Sequence, residues 1–443
     1  MPIKQILEDA LKGDVECKKL EEFHHADVAL HIHDIPESDA ARVLEILDPD
    51  FAARILVECH ESVSENILEL VDDNQVLAWA DTLPSDESAY LVSRLQEERK
   101  NKIIPKFSPE DIEEVQEILQ YTEDQIGSHM QIELISIHEH ETVKSCIKHI
   151  RSEVQGEDIE QYYKAYVVDD HGVLKGEIPL LGLLLGRPSD VLTNIMQPVD
   201  YCVKPTDVAE EVANQGLQHD EHSIPVVDDE YKIIGRVTLD DLGEVLVQEY
   251  EEDIGKMAGT GEEHVVEDFY VAIRERLPWL MLGLLGGIVL AFLLGAFEGK
   301  LKEYPEFVFF VPLIMSMAGN VGIQSSSIVV RGLSTGEIGI TDWFPRLIRE
   351  LKISFINGFA CSLGLVTFAY FLVDNQLFGY IVSVCLFSVM IIAAVIGVLV
   401  PIFLKAINIE PAYSTGPFIT VGNDVLGIAI YMGLGHWCLE KFS

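Results

Sequence analysis

Five apolar segments in the C-terminal part of the chain constrain its fold more than any other feature. Each contains about 20 or more mostly apolar residues, which as a helix is enough to cross a hydrocarbon core of about 30 Å. Backbone groups inside a bilayer must be satisfied within the protein, and a helix does this by itself. The sequence therefore predicts five transmembrane helices, at residues 277–297, 307–330, 353–373, 378–404 and 416–439.

The acidic residues are concentrated ahead of these segments. Residues 1–262 carry 21 Lys and Arg against 59 Asp and Glu, whereas residues 263–443 carry 10 against 14. The first part therefore accounts for −38 of the net charge of −42. An excess this acidic argues against nucleic acid and anionic lipid as partners and favours divalent cations. For most individual acids, a soluble or salt-adapted surface is the simpler interpretation.

Lys and Arg near the ends of the segments predict the orientation, because cytoplasmic loops carry an excess of these residues. If the N-terminus is cytoplasmic, seven of them lie at inner ends and three at outer ends. We therefore expect a multi-pass protein of the cell (inner) membrane with a cytoplasmic N-terminus. The inner residues are Arg274, Arg276, Arg331, Arg346, Arg349, Lys352 and Lys405, and the outer ones are Lys300, Lys302 and Lys441.

A carboxylate, Asp424, lies inside the fifth apolar segment, about eight residues from the predicted start at Gly416. A charge at bilayer depth costs at least a few kcal/mol, so it persists mainly where it faces a partner, a cavity or an ion. No Lys or Arg lies deep in any of the five segments to neutralise it. The sequence therefore places Asp424 in a pore or a cation site.

Polar side chains recur at helical spacing in the second and fifth segments, so that each set shares one face. The two sets are Ser316, Asn320, Gln324 and Ser327, and Thr420, Asn423, Asp424 and Gly427. Carboxylate, amide and carbonyl oxygens suit a hard cation such as Mg²⁺ or Ca²⁺. Helix packing explains Gln324 equally well, because amides also bond across helix interfaces. The predicted pore ligands are Asp424, Asn320, Gln324 and Asn423.

The soluble part divides into three predicted regions. Residues 1–120 contain a repeat in which Pro, Asp or Ser precedes a short apolar stripe, as in IPESDAARVLEIL, DPDFAARILVEC and LPSDESAYLVSRL. Such units are typical of helices stacked into a superhelical, right-turning array. Residues 245–272 begin with a helix crowded with Glu249, Glu251, Glu252 and Asp253, which repel one another unless cations lie between them. Residues 273–443 form the all-α membrane domain.

The region between them, residues 121–244, contains two copies of a strand, acidic turn, strand, helix pattern. The copies are AYVVDDHGVLKGEIPLLGLL and IPVVDDEYKIIGRVTLDDLGEVL, and they resemble tandem CBS modules of α/β fold. Gly235, Thr238 and Asp241 match the G-x-x-T-x-x-D pattern that binds adenosine ribose in many CBS proteins. In the first copy Pro179 and Gly182 replace the Thr and the Asp. The resemblance thus implies an ATP-type nucleotide site in the second module only.

The order of these parts resembles the MgtE family of magnesium channels and transporters over nearly the whole chain. The most specific matches are PLIMSMAGNVGIQSSSIVVRGLSTGEI and PAYSTGPFITVGNDVLG, and EEDIGKMAG resembles the helix that plugs the family's pore. The resemblance implies a homodimer with the pore on its two-fold axis. It implies a hydrated ion at Asp424, with Asn320 lining the pore. It implies regulatory magnesium sites among Asp228, Asp240, Asp241, Glu249 and Glu252.

The predicted function is a Mg²⁺-selective channel or transporter that passes divalent cations down their electrochemical gradient into the cytosol. Cytosolic Mg²⁺ would close it by bridging the acidic faces of the N domain, the CBS modules and the plug helix. Two alternatives remain: a Co²⁺, Mn²⁺ or Ca²⁺ transporter of the same fold, and a membrane-tethered CBS sensor of adenine nucleotides. Without a nucleophile–base pairing or a phosphate loop, the sequence does not support an enzyme.

Overall fold

Two structural units make up the chain, Met1–Val247 and Gln248–Ser443. The computed structural model describes residues 3–4, 6–7, 17–153, 162–260, 269–372 and 376–442. Part of the predicted connecting region, residues 261–268, lies outside the described residues, as does residue 373 at the end of the third predicted segment.

Short amphipathic helices form the first part of the first unit. Several begin where the repeat predicts: Asp48 accepts a hydrogen bond from the Asp50 backbone amide, and Pro36 and Pro84 precede two others. Helix α1 packs on α3, α3 on α5 and α2 on α4, so apolar stripes are buried between alternate helices. The helices are α1 (His25–Ile32), α2 (Glu37–Ile46), α3 (Pro49–Glu58), α4 (Glu61–Leu70), α5 (Asp73–Ala80), α6 (Ser85–Ser93), α7 (Glu97–Ile103) and α8 (Pro109–Ile118).

Two α/β modules follow in the same unit. In the first, β1 (Ser136–His138) runs parallel to β2 (Lys164–Val168), which pairs antiparallel with β3 (Leu174–Pro179). In the second, β4 (Ser223–Val227) pairs antiparallel with β5 (Ile233–Thr238). An isolated parallel bridge between Val203 and Val226 repeats the β1–β2 arrangement. The shared plan confirms the predicted α/β fold of this region.

The helices of these modules complete the first unit. They are α9 (Val143–Glu153), α10 (Leu180–Leu185), α11 (Ala209–Gln218) and the first part of α12 (Leu239–Ala258). Helix α12 starts beside Thr238, whose hydroxyl donates to the Asp241 carboxylate at 2.5 Å. It ends at Gly259, whose φ of +74° favours glycine and terminates the helix.

The second unit contains the apolar helices α13 (Phe269–Ala296), α15 (Glu306–Ser334), α16 (Trp343–Leu372), α17 (Gln376–Ala406) and α18 (Thr420–Phe442), with a short α14 (Glu298–Glu303). Within the described residues, five helices are long and apolar enough to span a membrane, as the sequence predicts. Helix α17 packs against α15, α16 and α18, and α13 packs on α18. Aromatic side chains including Phe307, Phe378 and Tyr431 form the core.

The fifth apolar segment does not begin as a regular helix. A 3-10 turn at Pro411–Ser414 and a π turn at Thr415–Ile419 precede α18, and Gly416 has a non-helical ψ of −115°. Asp424 therefore lies only four residues into the regular helix, rather than eight. The predicted segment 416–439 lies within the observed span Pro411–Phe442, but its first turn is irregular because Gly416 and Pro417 interrupt the helix there.

Candidate cation path and acidic control region

One face of α15 is polar and lies uncovered in the second unit. Ser316, Asn320 and Gln324 are exposed, and they lie four residues apart on this face. The opposite face is buried and is rich in small residues: Ala318, Gly319, Gly322, Ser325 and Ser326. Small residues permit close helix approach. The polar side chains therefore point away from the helices of this unit.

Asp424 is half-buried on α18, which packs against α15. Among the described residues, no charged group and no hydrogen-bond donor lies against its carboxylate. An unpaired acid within an apolar helix is costly unless water or a cation reaches it. The geometry thus leaves Asp424 available to a cation from solution.

Asn423 has a different environment from its neighbour Asp424. It is only 1 % exposed, and its Nδ2 lies 3.4 Å from the Ala318 carbonyl oxygen on α15. A Cβ at Gly322 would clash with this amide, so the close approach requires glycine there. The expectation that Asn423 shares an accessible face with Asp424 is therefore corrected, because Asn423 points into the helix interface.

Two neighbouring serines attach the buried face of α15 to other elements. The Ser326 hydroxyl lies 3.3 Å from that of Ser414 and 3.2 Å from that of Thr415, so it holds the irregular segment that precedes α18. The Ser325 hydroxyl donates to Glu350 Oε1 of α16 at 2.9 Å. Both contacts fix the position of the helix that carries Asn320.

Glu350 is a buried acid that the sequence did not single out. It is 5 % exposed, and Arg346 Nη2 lies 3.9 Å from its Oε2. Within the described residues, Glu350 Oε2 and Arg346 Nε have no hydrogen-bond partner. The only available signal was the i, i+4 spacing of an Arg and a Glu ahead of an apolar segment.

The end of α12 lies against the second unit's own helices. We call residues 248–258 the plug segment. Ser334, at the end of α15, donates to Asp253 Oδ2 at 2.8 Å. The Met257 carbonyl approaches Gly416 so closely that any Cβ there would clash, and Gly259 packs on Pro417. The plug segment therefore covers the irregular turn from which α18, with Asp424, begins.

Charges within the plug segment are partly compensated. Lys256 is buried and lies 3.0 Å from Glu252. Burial alone would lower the pKa of Lys256, but the hydrogen bond to Glu252 and the attraction of Glu252 and Glu410 raise it instead. Burial raises the pKa of Asp253, although Ser334 and Lys256 oppose that rise. The predicted regulatory acid Glu252 is thus already paired.

A second acidic region lies in the first unit, where α6 meets the second module. Asp86 is buried, and Gln131 Nε2 donates to its Oδ2 at 3.3 Å. Asp86 Oδ1 and Gln131 Oε1 are acceptors with no hydrogen-bond partner among the described residues. Buried acceptors without donors are costly, and a cation or a proton satisfies them.

Mutual repulsion shows in the titration of these acids. Burial, then the charges of Asp241, Glu87 and Glu133, raise the pKa of Asp86. Burial also raises the pKa of Asp241 to about 6, although its bond to Thr238 opposes this. Burial and the charges of Asp241, Glu244 and Glu58 raise the pKa of Glu87 to about 7, although Arg54 lowers it. These carboxylates therefore favour bound protons or cations near neutral pH.

The other predicted regulatory acids are distributed differently. Asp228 Oδ1 accepts from the backbone amides of Glu230 and Lys232, so it caps the β4–β5 turn. Asp240 is exposed beside Asp241, and Glu249 is half-buried in the plug segment. The structure therefore brings only Asp241, with Asp240 next to it, to the acidic region around Asp86.

The predicted nucleotide residues are in part occupied by structural contacts. The Thr238 amide and hydroxyl both donate to Asp241 Oδ2. A Cβ at Gly235 would meet the Gln131 carbonyl oxygen at 2.9 Å, so glycine permits the close approach of that strand. Within the described residues, no group of three His, Cys, Asp or Glu side chains is placed to hold a metal ion.

Comparison with known proteins gives three family matches. The divalent cation transporter model MgtE matches residues 311–434, the MgtE intracellular N domain matches 23–124, and the CBS domain matches 191–247. These matches lie in both units and include most of α15, the first part of α18 and Asp424.

The relatives extend over nearly the full chain. The magnesium transporter MgtE of Bacillus subtilis is 29 % identical over 416 residues, 94 % of this chain and 92 % of that protein. That of Thermus thermophilus is 29 % identical over 435 residues, 98 % and 91 %. A crystal structure of the cytosolic domain of the Mg²⁺ channel MgtE with ATP matches with a TM-score of 0.51 and 26 % identity, covering 55 % of this chain and 99 % of that one.

Proposed function

Because the chain belongs to the MgtE family and carries its divalent cation transporter domain, we propose that it passes Mg²⁺ across the bilayer into the cytosol. The flow follows the electrochemical gradient and stops when cytosolic Mg²⁺ binds the acidic control region, by which we mean the acids around Asp86 and Asp241 together with those of the plug segment. The observation that carries the proposal is the unpaired Asp424 on α18, beside a helix with an uncovered polar face. The relatives from Bacillus subtilis and Thermus thermophilus are magnesium transporters, which supports Mg²⁺ as the ion.

A second copy of the chain completes the path. Ser316, Asn320 and Gln324 are exposed in one protomer, and uncovered amides in lipid are costly. A two-fold partner that presents the same face of its own α15 would enclose a polar lumen. We therefore propose a homodimer in which Asn320 and Gln324 line the pore and Asn423 holds α18 against α15.

The ligand chemistry favours a hydrated ion. Two copies supply one Asp424 carboxylate each and amide oxygens, with no thiolate in the proposed ligand set. Mg²⁺ dehydrates reluctantly and is bound through few carboxylates with several waters kept. Co²⁺ and Mn²⁺ also accept oxygen ligands, and Ca²⁺ needs more of them. Selectivity for Mg²⁺ then depends on the lumen fitting the hydrated ion.

The plug segment is the proposed gate. It lies against Gly416, Pro417 and Ser334, at the end of the path that we propose to be cytosolic. We propose that Mg²⁺ bound near Asp86 and Asp241, and at plug acids such as Glu249, stabilises the closed state by its higher affinity for it. When Mg²⁺ is scarce, repulsion between the acids favours opening. A membrane potential of 100 mV contributes about 4.6 kcal/mol to the entry of a divalent ion.

Uptake into proteoliposomes tests the proposal. Full-length protein is reconstituted with low internal Mg²⁺ and an indicator inside, and wild type is compared with Asp424→Asn, which keeps the side-chain shape. We expect Mg²⁺ uptake to fall at least about 100-fold, because each protomer loses the carboxylate that it supplies to the proposed path. Glu298→Gln, an exposed acid paired with Lys302, is the matched control and should transport normally.

Three outcomes would contradict the proposal in part or in whole. Robust uptake by Asp424→Asn would make the aspartate structural. Faster uptake of Co²⁺, Mn²⁺ or Ca²⁺ than of Mg²⁺ by wild type would change the substrate. Absence of uptake by both proteins, with retained thermal unfolding transitions, would favour the nucleotide sensor.

ATP binding by the second module is a second candidate activity. The cytosolic domain of an MgtE relative was crystallised with ATP, and this chain has Gly235, Thr238 and Asp241 at the matching pattern. ATP titration of wild type and Thr238→Val by calorimetry, at fixed Mg²⁺, tests it. We expect binding in wild type that the substitution weakens, and equal heats would exclude this site.

A further inference from the structure

The outward face of α16 has an arrangement that its role in packing does not require. Arg349, Lys352, Ile356, Phe359 and Leu363 follow at three- and four-residue steps, so they form one stripe. All five are exposed or partly exposed, with Ile356 at 68 %, Phe359 at 61 % and Leu363 at 58 %. Two cations therefore lie directly in line with an uncovered apolar stripe.

The two cations of the stripe are free to bind an anion. Within the described residues, neither Arg349 nor Lys352 has an ion-pair or hydrogen-bond partner. By contrast, Arg346 on the same helix turns inward toward Glu350. This end of α16 is locally basic, although residues 1–262 are strongly acidic. Three of the ten Lys and Arg of residues 263–443 lie within 346–352.

The start of α16 is held rigidly. Ile338 of the preceding loop donates its amide to the Gly332 carbonyl at 2.8 Å, and Ile338 packs with Leu347 on the buried ends of α15 and α17. Trp343 and Phe344 are exposed at the same end, and aromatic residues favour the headgroup level of a bilayer. These contacts fix the start of the helix that carries the cations, and the aromatic residues favour an interfacial position for this end.

We propose that this stripe binds an anionic phospholipid, with the phosphate on Arg349 and Lys352 and an acyl chain along Ile356, Phe359 and Leu363. From Lys352 to Leu363 the helix rises about 17 Å, at 1.5 Å per residue. This matches one leaflet, about half of a hydrocarbon core of about 30 Å. A zwitterionic lipid carries a compensating choline, so charge complementarity selects an anionic headgroup such as phosphatidylglycerol.

Lipid retention by the full-length protein tests the proposal. Protein from vesicles of equal phosphatidylglycerol and phosphatidylcholine is extracted gently, and bound lipids are counted by native mass spectrometry. We expect wild type to retain phosphatidylglycerol preferentially. Arg349→Gln with Lys352→Gln should bind it about 30-fold more weakly, since each cation near an anionic surface contributes about a factor of five. Lys300→Gln with Lys302→Gln, which removes two cations already near acids, should behave as wild type.

A salt series on wild type keeps the proposal testable if the double variant does not fold. Phosphatidylglycerol retention should fall between about 0.1 and about 1 M NaCl, because the Debye length shrinks from about 10 Å to about 3 Å. Equal retention of both lipids, or undiminished retention in the double variant, would overturn the proposal. Retention of neither lipid would also overturn it, and would mean that another surface, such as a second copy, covers the stripe.

Discussion

Buried acids have opposite surroundings in the membrane helices and in the soluble modules. Asp424 stands alone on α18, with no charge of either sign against it among the described residues. Asp86, by contrast, lies among Asp241, Glu87 and Glu133, and each of these raises its pKa. One acid is costly because it is unaccompanied, and the others are costly because they are crowded.

In the function proposed above, the contrast corresponds to two modes of cation binding. One Asp424 carboxylate from each protomer, with the waters of the ion retained, would bind a divalent ion weakly, which would allow the ion to leave on the other side. Several carboxylates with unsatisfied acceptors bind more strongly, since each added anion increases the attraction. Passage and sensing of the same ion therefore favour different numbers of acids.

Glu350 tests the comparison most strongly. It is a buried acid of the membrane helices, like Asp424, but it has partners in Ser325 and Arg346. Glu350→Ala leaves the largely buried Arg346 without its anion; breaking a fully buried pair costs about 3–5 kcal/mol, and the cost here should be somewhat lower because Arg346 keeps some contact with solvent. We expect a large fall in the thermal midpoint of the detergent-solubilised protein. Glu350→Gln retains an acceptor for Ser325 and should cost less, and Glu337→Ala, an exposed acid nearby, should have little effect. A stable Glu350→Ala protein without flux would instead place Glu350 in the cation path.

The pH dependence of stability tests the crowded acids of the first unit. The folded pKa values of Glu87 and Asp241, about 7 and about 6, exceed their unfolded values, so the folded state binds more protons. These two acids therefore destabilise the folded state increasingly as the pH rises from about 5 to 8, by on the order of 4 kcal/mol together.

The measurement is the thermal midpoint between pH 5 and 8 in EDTA. Glu87→Gln with Asp241→Asn should flatten the slope relative to wild type, whereas Asp81→Asn with Glu98→Gln, both exposed, should not. Equal slopes in all three proteins would mean that these carboxylates ionise normally in the folded state.

Asp86→Asn separates the effect of cations from that of protons. Removing one charge should raise the Mg²⁺ concentration for half-maximal protease protection of residues 1–262 about tenfold, equivalent to about 1.4 kcal/mol. KCl at equal ionic strength should not protect the wild type, because screening does not bridge acids. Protection by both salts, or an unchanged Mg²⁺ midpoint in the variant, would remove Asp86 from the control region.

Ser334→Ala is the smallest expected change. It removes the hydroxyl that donates to Asp253, a bond to a charged group that contributes about 1.5–3 kcal/mol when fully buried and less here. We expect a few-fold higher uptake at inhibitory Mg²⁺ in proteoliposomes. Thr335→Ala, whose hydroxyl bonds to the Arg331 carbonyl at the end of α15, is the matched control. Equal uptake by all three proteins would show that this bond does not hold the gate closed.

Local patterns predicted the helices and the two modules because their signals are short in range. Apolar length gave the five membrane helices, and the repeated Pro and Asp starts gave the N-terminal helices. Asp424 could also be singled out, because a charge in an apolar segment is visible without knowing its neighbours.

Residues whose role depends on distant partners could not be predicted. Asp86 meets Gln131, which is 45 positions away, and Glu350 meets Ser325 on another helix. The family resemblance implied Asp228 as a regulatory acid, and it did not reveal that Asp228 Oδ1 also accepts backbone amides of the β4–β5 turn. Asn423 belongs to the same polar set of the fifth segment as Asp424. Its amide nevertheless packs into the interface with α15, because Gly322 leaves room for it there.

Lys256 affects the balance between the open and closed states of the proposed gate. Its ammonium lies 3.0 Å from Glu252 and is attracted by Glu410, so the plug segment contains its own counterion. A tethered cation does not dilute when the cytosol loses Mg²⁺, and its effective concentration is fixed by the covalent chain. In the proposed gate, the attraction of Lys256 to Glu410, which lies outside the plug segment, would hold the closed state at any Mg²⁺ level, whereas the Lys256–Glu252 pair lies within one helix and favours neither state. Loss of Mg²⁺ would then shift the equilibrium toward the open state, but part of the free energy that favours closure would not depend on the Mg²⁺ concentration.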